Sequence, residues 1–425
     1  MTLATRRKGL LRAGSALLLF AFFLLVLIRP YFYVMEVPHV RIRHIQEVFG
    51  RLTGTSDAYV PRAALDSAEA IVDAEVRRGA FPGAALAVGR GDRAVLEVGI
   101  GRLGWTKSSG LVDADATMYD LASLTKVVAT TAAVMALVDD GKMRLDDPVR
   151  RYLPSFTGKE RDQVTIRHLL THTSGLAPGA RIVGNEPGDR LAWWIANARV
   201  YDKPGTHVAY SDGGFIILGA AVAAAAGQRE GAYLQHRIYE PLGMADTRYE
   251  PGKDCEACAP TLSLKDGTPF RGETNDPLSR KLGGATGNAG MFSTAHDLGR
   301  FAAMIANGGE LDGVRVLKAA TVREFTHAQP GAGTRGLGFE VFCREGTVPD
   351  AKGCKEPYAY GHTGYTGTSL WIDMATGTWV VLLTNRTYNP KASNRLQVIR
   401  RRLFNVVTGT TLKPGAAEDT TEVEQ

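Results

Sequence analysis

Between Leu124 and Val138 the only charged side chain is Lys126, and the run that follows it, "VVATTAAVMALV", has no charged face at all. A helix that is apolar all round must be wrapped by the rest of the chain, so this segment demands a core built about itself. Lys126 stands on its first turn, three residues after Ser123 in "DLASLTK". An unpartnered ammonium in an apolar setting is costly, and it either loses its proton or finds a use. Whatever fold the chain adopts must account for this one lysine.

The chain has 425 residues, 44% hydrophobic and 22% charged, the balance of a globular protein with ample core. Its formal charge of +6 is concentrated at one end. Arg6, Arg7, Lys8, Arg12, Arg29, Arg41 and Arg43 face Glu36 alone, and everything after residue 43 is formally neutral. The basic character therefore marks no nucleic-acid face, and no nucleic-acid partner is expected. Between Arg12 and Arg29 lie sixteen uncharged residues, "AGSALLLFAFFLLVLI". Flanking arginines that snorkel and the interfacial Tyr31, Phe32 and Tyr33 let such a run span a bilayer. The small residues of a cleavage site do not follow it, so residues 1–29 read as a cytoplasmic stub and an uncleaved signal anchor. The basic cluster ahead of the run places the main body outside the cytoplasmic membrane, in the periplasm or beyond.

The four cysteines, Cys255, Cys258, Cys343 and Cys354, suggest disulfides in an exported chain, with three possible connectivities. Cys343 and Cys354 bracket a polar loop that a bridge could close. "CEAC" could form a tight local loop, half of a longer-range pair, or half of a zinc site.

Residues 30–60 read as a stalk, 61–409 as the folded domain, and 410–425 as a disordered acidic tail. "AALDSAEAIVDAEVRRG" has helical spacing, and "GAALAVGRGDRAVLEVGIGRL" alternates about a Gly-Asp turn as a hairpin. A helix-rich middle extends from about Ser123 to Thr326, and strands return in "LGFEVF", "YAYGHTG", "TSLWIDMATG" and "TWVVLLTN" before a last helix. Strands at both ends with helices between them imply an α+β fold: an antiparallel sheet joined by the two ends of the domain and flanked by helices, with an all-helical lobe inserted, preceded by the transmembrane helix.

Ser123 lies at the N-terminus of the apolar helix, where unpaired amides and the helix dipole favour developing negative charge. Lys126, one turn on and on the same face, is within reach of its hydroxyl. Burial by "VVATTAAVM" is expected to lower the lysine pKa so that it accepts the serine proton. "KPGTHVAYSDGGFIILG" places Tyr210, Ser211 and Asp212 between a Pro-Gly turn and a second apolar helix. Tyr210 could share the proton with Lys126. "YGHTGYTGTSLW" puts His362, Thr363 and Gly364 at a strand end, where glycine admits close approach of a substrate backbone. The amide of Tyr365 is expected to pair with that of Ser123 as an oxyanion hole.

In this order, S-x-x-K, Y-S-x and a basic residue before Thr-Gly resemble the serine β-lactamase and penicillin-binding-protein superfamily. The likeness is to its class C-like branch, which includes D-alanyl-D-alanine carboxypeptidases, esterases and D-amino-acid amidases. It covers roughly residues 62–408 and extends to "FPGAALAVGR", "IRHLLTHTSGL", "YEPLGM" and "GNAGMFSTAHDLGRF". The resemblance implies Ser123 as acylated nucleophile, Lys126 and Tyr210 as proton-transfer partners, and Asp212, His362, Thr363 and Gly364 on the substrate side. No cofactor and no metal are implied. Asp212 stands where relatives often carry an amide, and His362 where many carry a lysine that helps hold a substrate carboxylate. Histidine is mostly neutral at pH 7, so both changes favour a peptidase or esterase over an efficient β-lactamase.

The implied substrate is a small molecule or a peptidoglycan-derived peptide cut through an acyl-enzyme. Two alternatives are β-lactam hydrolysis and a penicillin- or muropeptide-binding sensor without turnover. A zinc or thiol-redox protein built on "CEAC" and the His168–His172 pair is a further reading. That pair, His207, Trp193 and Trp194 are expected to be structural or solvated. Tyr358, Tyr360, Tyr365 and Trp371 are candidate pocket lining, and Asn288 a candidate contact at the site mouth.

Overall fold

A computed structural model describes residues 60–177, 189–343, 354–388 and 395–410. The expected anchor, stalk and acidic tail, with the loop between Cys343 and Cys354, lie outside the described residues.

Six antiparallel strands form the central sheet: β1 (Gly83–Arg90), β2 (Arg93–Gly101), β3 (Glu340–Cys343), β4 (Pro357–Thr363), β5 (Ser369–Asp373) and β6 (Thr378–Thr384). Their order is β3-β4-β5-β6-β1-β2, so the two ends of the domain meet where β1 pairs with β6. Helices cover both faces, which is why the inner strands are apolar at almost every position. The period of two sorts their side chains. Ala84, Leu86, Val88, Val380 and Leu382 turn to one face and pack on helix α1 (Arg62–Arg77) and the last helix, α5 (Leu396–Thr408). Ala85, Ala87, Val381 and Leu383 turn to the other, against helix α4 (Ala295–Ala306) and the larger core.

That larger core surrounds helix α2, Ala122–Asp139, which runs as a 3-10 turn at Ala122–Leu124, a wide π turn at Lys126–Thr131 and an α-helix at Ala132–Asp139. Leu124, Val127, Val128, Ala129 and Ala132 to Leu137 have no solvent exposure. This is the burial that the missing polar face requires. Helix α3, Asp212–Ala226, is equally apolar and packs beside it, capped by the Ser211 hydroxyl accepting from the amide of Gly214. Cys255 is bridged to Cys258 and Cys343 to Cys354, so "CEAC" closes its own tight loop and its thiols hold no metal.

Candidate active site

Three elements converge at the N-terminal end of α2. The first carries the nucleophile candidate. Ala122, just ahead of Ser123, is held at φ +45°, a conformation costly for a residue with a Cβ. The surroundings impose it. Asp120 accepts from the Ala122 amide at 2.8 Å, and two threonines of the turn after β4 reach back to the same segment. Thr366 donates to the Asp120 carbonyl at 2.6 Å, and Thr368 to the Leu121 carbonyl at 2.8 Å. Gly364 faces that carbonyl so closely that a Cβ there would lie 2.3 Å from it. From the outer face, Arg400 of α5 donates to the carbonyls of Gly364 and Thr368 at 3.0 and 2.9 Å. The strand end at His362–Gly364 and the turn that holds the Tyr365 amide are thereby fixed to the segment that carries Ser123.

The second element is Lys126, fully buried, its ammonium 3.0 Å from the Ser123 hydroxyl. It also donates to Asp212 at 2.6 Å and to the carbonyl of Asn288 at 3.3 Å. Burial by itself lowers the lysine pKa, but the Asp212 carboxylate and, after it, Tyr210 more than offset this, and the net direction is upward. The lowered pKa expected from the apolar helix is thus reversed. The neighbours along the chain are apolar, whereas the neighbour that decides the charge is a carboxylate 86 residues away. Asp212 is correspondingly committed to Lys126 rather than free to face a substrate.

The third element is Tyr210. Lys126 Nζ lies 4.8 Å from its ring centroid, and the charge of Lys126 acts on the phenol. Burial raises its pKa more than the ammonium lowers it, so the resting group is a neutral phenol. His172 packs on the ring at 4.5 Å and His362 lies at 6.2 Å. Both histidines are buried, and their environment keeps them uncharged. Desolvation and then the Lys126 and Arg335 charges press His362 to about 3, and desolvation followed by Arg335 drives His172 well below its usual range. The Nδ1 of His362 lies 2.7 Å from the Thr363 carbonyl, so it carries the proton and leaves Nε2 a bare acceptor. The Nδ1 of His172 accepts from the Ser211 amide, so its Nε2 carries the proton.

Sequence reasoning missed two residues here. Arg335, whose guanidinium lies 5.6 Å from the Tyr210 ring centroid, is a second cation beside the cluster. His172 was read as half of a helix-face pair, whereas His168 Nδ1 accepts the Thr165 amide and His172 the Ser211 amide. Neither is visible in a local motif, because each arrives by long-range packing. The reading of Tyr358, Tyr360 and Trp371 as pocket lining is corrected. Tyr360 is buried edge-on to Phe339, while Tyr358 and Trp371 stack with Phe342 and Phe404. Tyr365 alone of the four stands open, 57% exposed, with Arg386 over its ring. Asn288 is buried and uses its carbonyl on Lys126, and His207 is exposed. Elsewhere, Glu97, Asp115 and His296 bring potential metal-ligand atoms within 4.8 Å of one another. The Nδ1 of His296 already lies 3.2 Å from a Glu97 carboxylate oxygen.

A buried lysine 3.0 Å from a serine, with a carboxylate and a phenol beside it, forms a cluster through which the hydroxyl proton can be passed on and returned elsewhere. A family model described as Beta-lactamase matches residues 68–403. An Escherichia coli (strain K12) protein provisionally named D-alanyl-D-alanine carboxypeptidase is 31% identical over 307 residues, which span 65% of this chain and 70% of that one. Among solved structures, a class C beta lactamase from Rhodobacter sphaeroides superposes with a TM-score of 0.65 at 22% identity, over 81% of this chain and 99% of its own. EstCE1, a hydrolase with promiscuous acyltransferase activity, gives 0.63 at 24% identity, over 81% and 98%. At these identities the solved structures speak for the fold.

Proposed function

The chain belongs to the serine beta-lactamase and penicillin-binding-protein superfamily of hydrolases, and on that premise we propose that it cleaves D-alanyl peptides or small esters through an acyl-enzyme on Ser123. In this reading the domain works outside the cytoplasmic membrane, tethered by the apolar segment between Arg12 and Arg29. The observation that carries the proposal is the 3.0 Å contact between Lys126 Nζ and Ser123 Oγ in a site where the lysine is wholly buried.

The substrate carbonyl oxygen lies against the amides of Ser123 and Tyr365, which stabilise the charge that develops in the tetrahedral intermediate. Ser123 Oγ attacks, its proton enters the Lys126–Tyr210 cluster, and the leaving group takes a proton from the Tyr210 phenol as it departs. Water then hydrolyses the ester by the same route in reverse. His362 and Thr363 border the leaving-group side. Since His362 carries no charge at neutral pH, Arg335 is the cation suited to a carboxylate on the leaving group. Such a carboxylate is what a D-alanyl peptide has and a neutral ester lacks.

The test is intact-protein mass after exposure to a fluorescent penicillin, together with turnover of a p-nitrophenyl ester and of a D-Ala-D-Ala peptide. An adduct on the wild type that is absent from Ser123→Ala is expected, with ester or peptide turnover lost in that variant. Identical behaviour of the two proteins would sink the reading.

A further inference from the structure

The resting site poses a problem that the acyl-enzyme reading leaves open: none of the groups touching Ser123 is in a basic form. Lys126 is an ammonium, Tyr210 a neutral phenol, and apart from Asp212 the groups named beside them are neutral or cationic. His172 and His362 are uncharged, and Arg335 and Arg400 are positive. Among the described residues the anionic partner of Lys126 is the Asp212 carboxylate, at 2.6 Å. It opens helix α3 beside the capping Ser211, where the helix dipole supports a negative charge. Its side chain is 12% exposed and the lysine is not exposed at all, so bulk water does not compete for the proton between them.

Resting on the acyl-enzyme reading, we propose that Asp212 is a positioning residue that takes up, through Lys126, the proton Ser123 releases on acylation. As Ser123 Oγ bonds to the acyl carbon, its proton passes to Lys126 Nζ while another Nζ proton passes to Asp212 Oδ1. The lysine ends the step as the ammonium it began as. When the bond from the acyl carbon to the leaving group breaks, the leaving group takes the Tyr210 proton. Lys126 reprotonates Tyr210, and Asp212 returns its proton to Lys126. The net transfer is one proton from serine to leaving group, with carboxylate, ammonium and phenol restored. Asp212, placed on the substrate side by resemblance, thus belongs to the proton path.

The experiment measures the acylation rate constant with a p-nitrophenyl ester from pH 5 to 10 in wild type, Asp212→Asn, Asp212→Glu and Ser123→Ala. Asp212→Asn should acylate at least about 100-fold more slowly at pH 7, with a rate that climbs with pH as Lys126 gives its proton to solvent instead and levels off above the Lys126 pKa, which falls once the carboxylate is gone. Asp212→Glu should recover part of the loss and the wild-type profile. On the wild type alone, rates in mixed light and heavy water should curve as two moving protons require. This holds whether or not a variant folds. Wild-type speed and an unchanged pH profile in Asp212→Asn, or a strictly linear light-to-heavy water dependence in the wild type, would overturn the proposal. Failure of the wild type to form any Ser123-dependent adduct would instead strike the underlying acyl-enzyme reading, and the relay with it.

Discussion

Replacing Gly364 by alanine tests whether the oxyanion geometry depends on how closely the turn after β4 meets the nucleophile segment. The added methyl would lie 2.1 Å from the Thr368 hydroxyl and 2.3 Å from the Leu121 carbonyl oxygen. The second contact is with backbone and is about 1 Å shorter than ordinary van der Waals contact, which begins near 3.4 Å. Leu121 cannot retreat cheaply, since its amide is held by the Met291 carbonyl and its neighbour Ala122 is already at positive φ. The turn must therefore move away, stretching the Thr368–Leu121 and Thr366–Asp120 bonds and separating the Tyr365 amide from that of Ser123. Overpacking of this size costs about 1–3 kcal/mol of stability. A displacement near 1 Å at reacting groups costs on the order of 100-fold in rate. Gly364→Ala should therefore lose kcat by about that factor in ester or peptide turnover while KM changes little and the protein still unfolds cooperatively. A kcat within about threefold of wild type, in a protein with unchanged stability, would show that the turn does not position the oxyanion amides.

Three further outcomes follow from the same contacts. Burial lifts the Glu230 carboxyl from 4.5 to about 7, so the unfolded chain ionises first and stability falls as pH rises between those values. Glu230→Gln should be more stable than wild type by about 3 kcal/mol at pH 8 and no different below pH 4, read from urea unfolding at each pH. A gap that persists in acid would refute this. Arg335→Met should raise KM roughly tenfold for substrates with a free carboxylate on the leaving group and leave neutral esters unaffected. Equal losses on both would remove Arg335 from recognition. The Cys343–Cys354 bridge spans 11 residues and Cys255–Cys258 only 3, so in a chain-entropy account Cys343→Ser should cost about 3 kcal/mol and Cys255→Ser about 2. Denaturant midpoints in the opposite order would contradict loop entropy as the source.

Part of the site was legible because its chemistry is local. Ser123 and Lys126 are one turn apart, and the apolar run after them demanded burial. Strands at both ends of the domain with helices between them implied the antiparallel sheet. What could not be read is what distant segments add. The lysine's charge state was inferred from "VVATTAAVM" and came out reversed, because Asp212 approaches from another helix. The unusual aspartate is visible in the sequence, but its partner is not. His172 and Arg335 reach Tyr210 through packing that no spacing records. Trp371, paired with Gly361, turns by register to the face away from His362, and Tyr358, which has the parity of His362, joins the same aromatic cluster beneath α5 where the register shifts beside Phe342.

The pairing of β1 with β6 also sets when this domain can be completed. Ala84 faces Thr384, and Arg400 of the last helix holds the turn at Gly364 and Thr368. A ribosome that has made Ser123, Lys126, Tyr210 and Asp212 has still not made the strand that closes the sheet or the arginine that fixes the turn. Contacts this distant along the chain form late and slowly. The growing polypeptide therefore carries Ser123 for most of its synthesis without the frame that positions it, and the candidate site is complete only when helix α5 has been made.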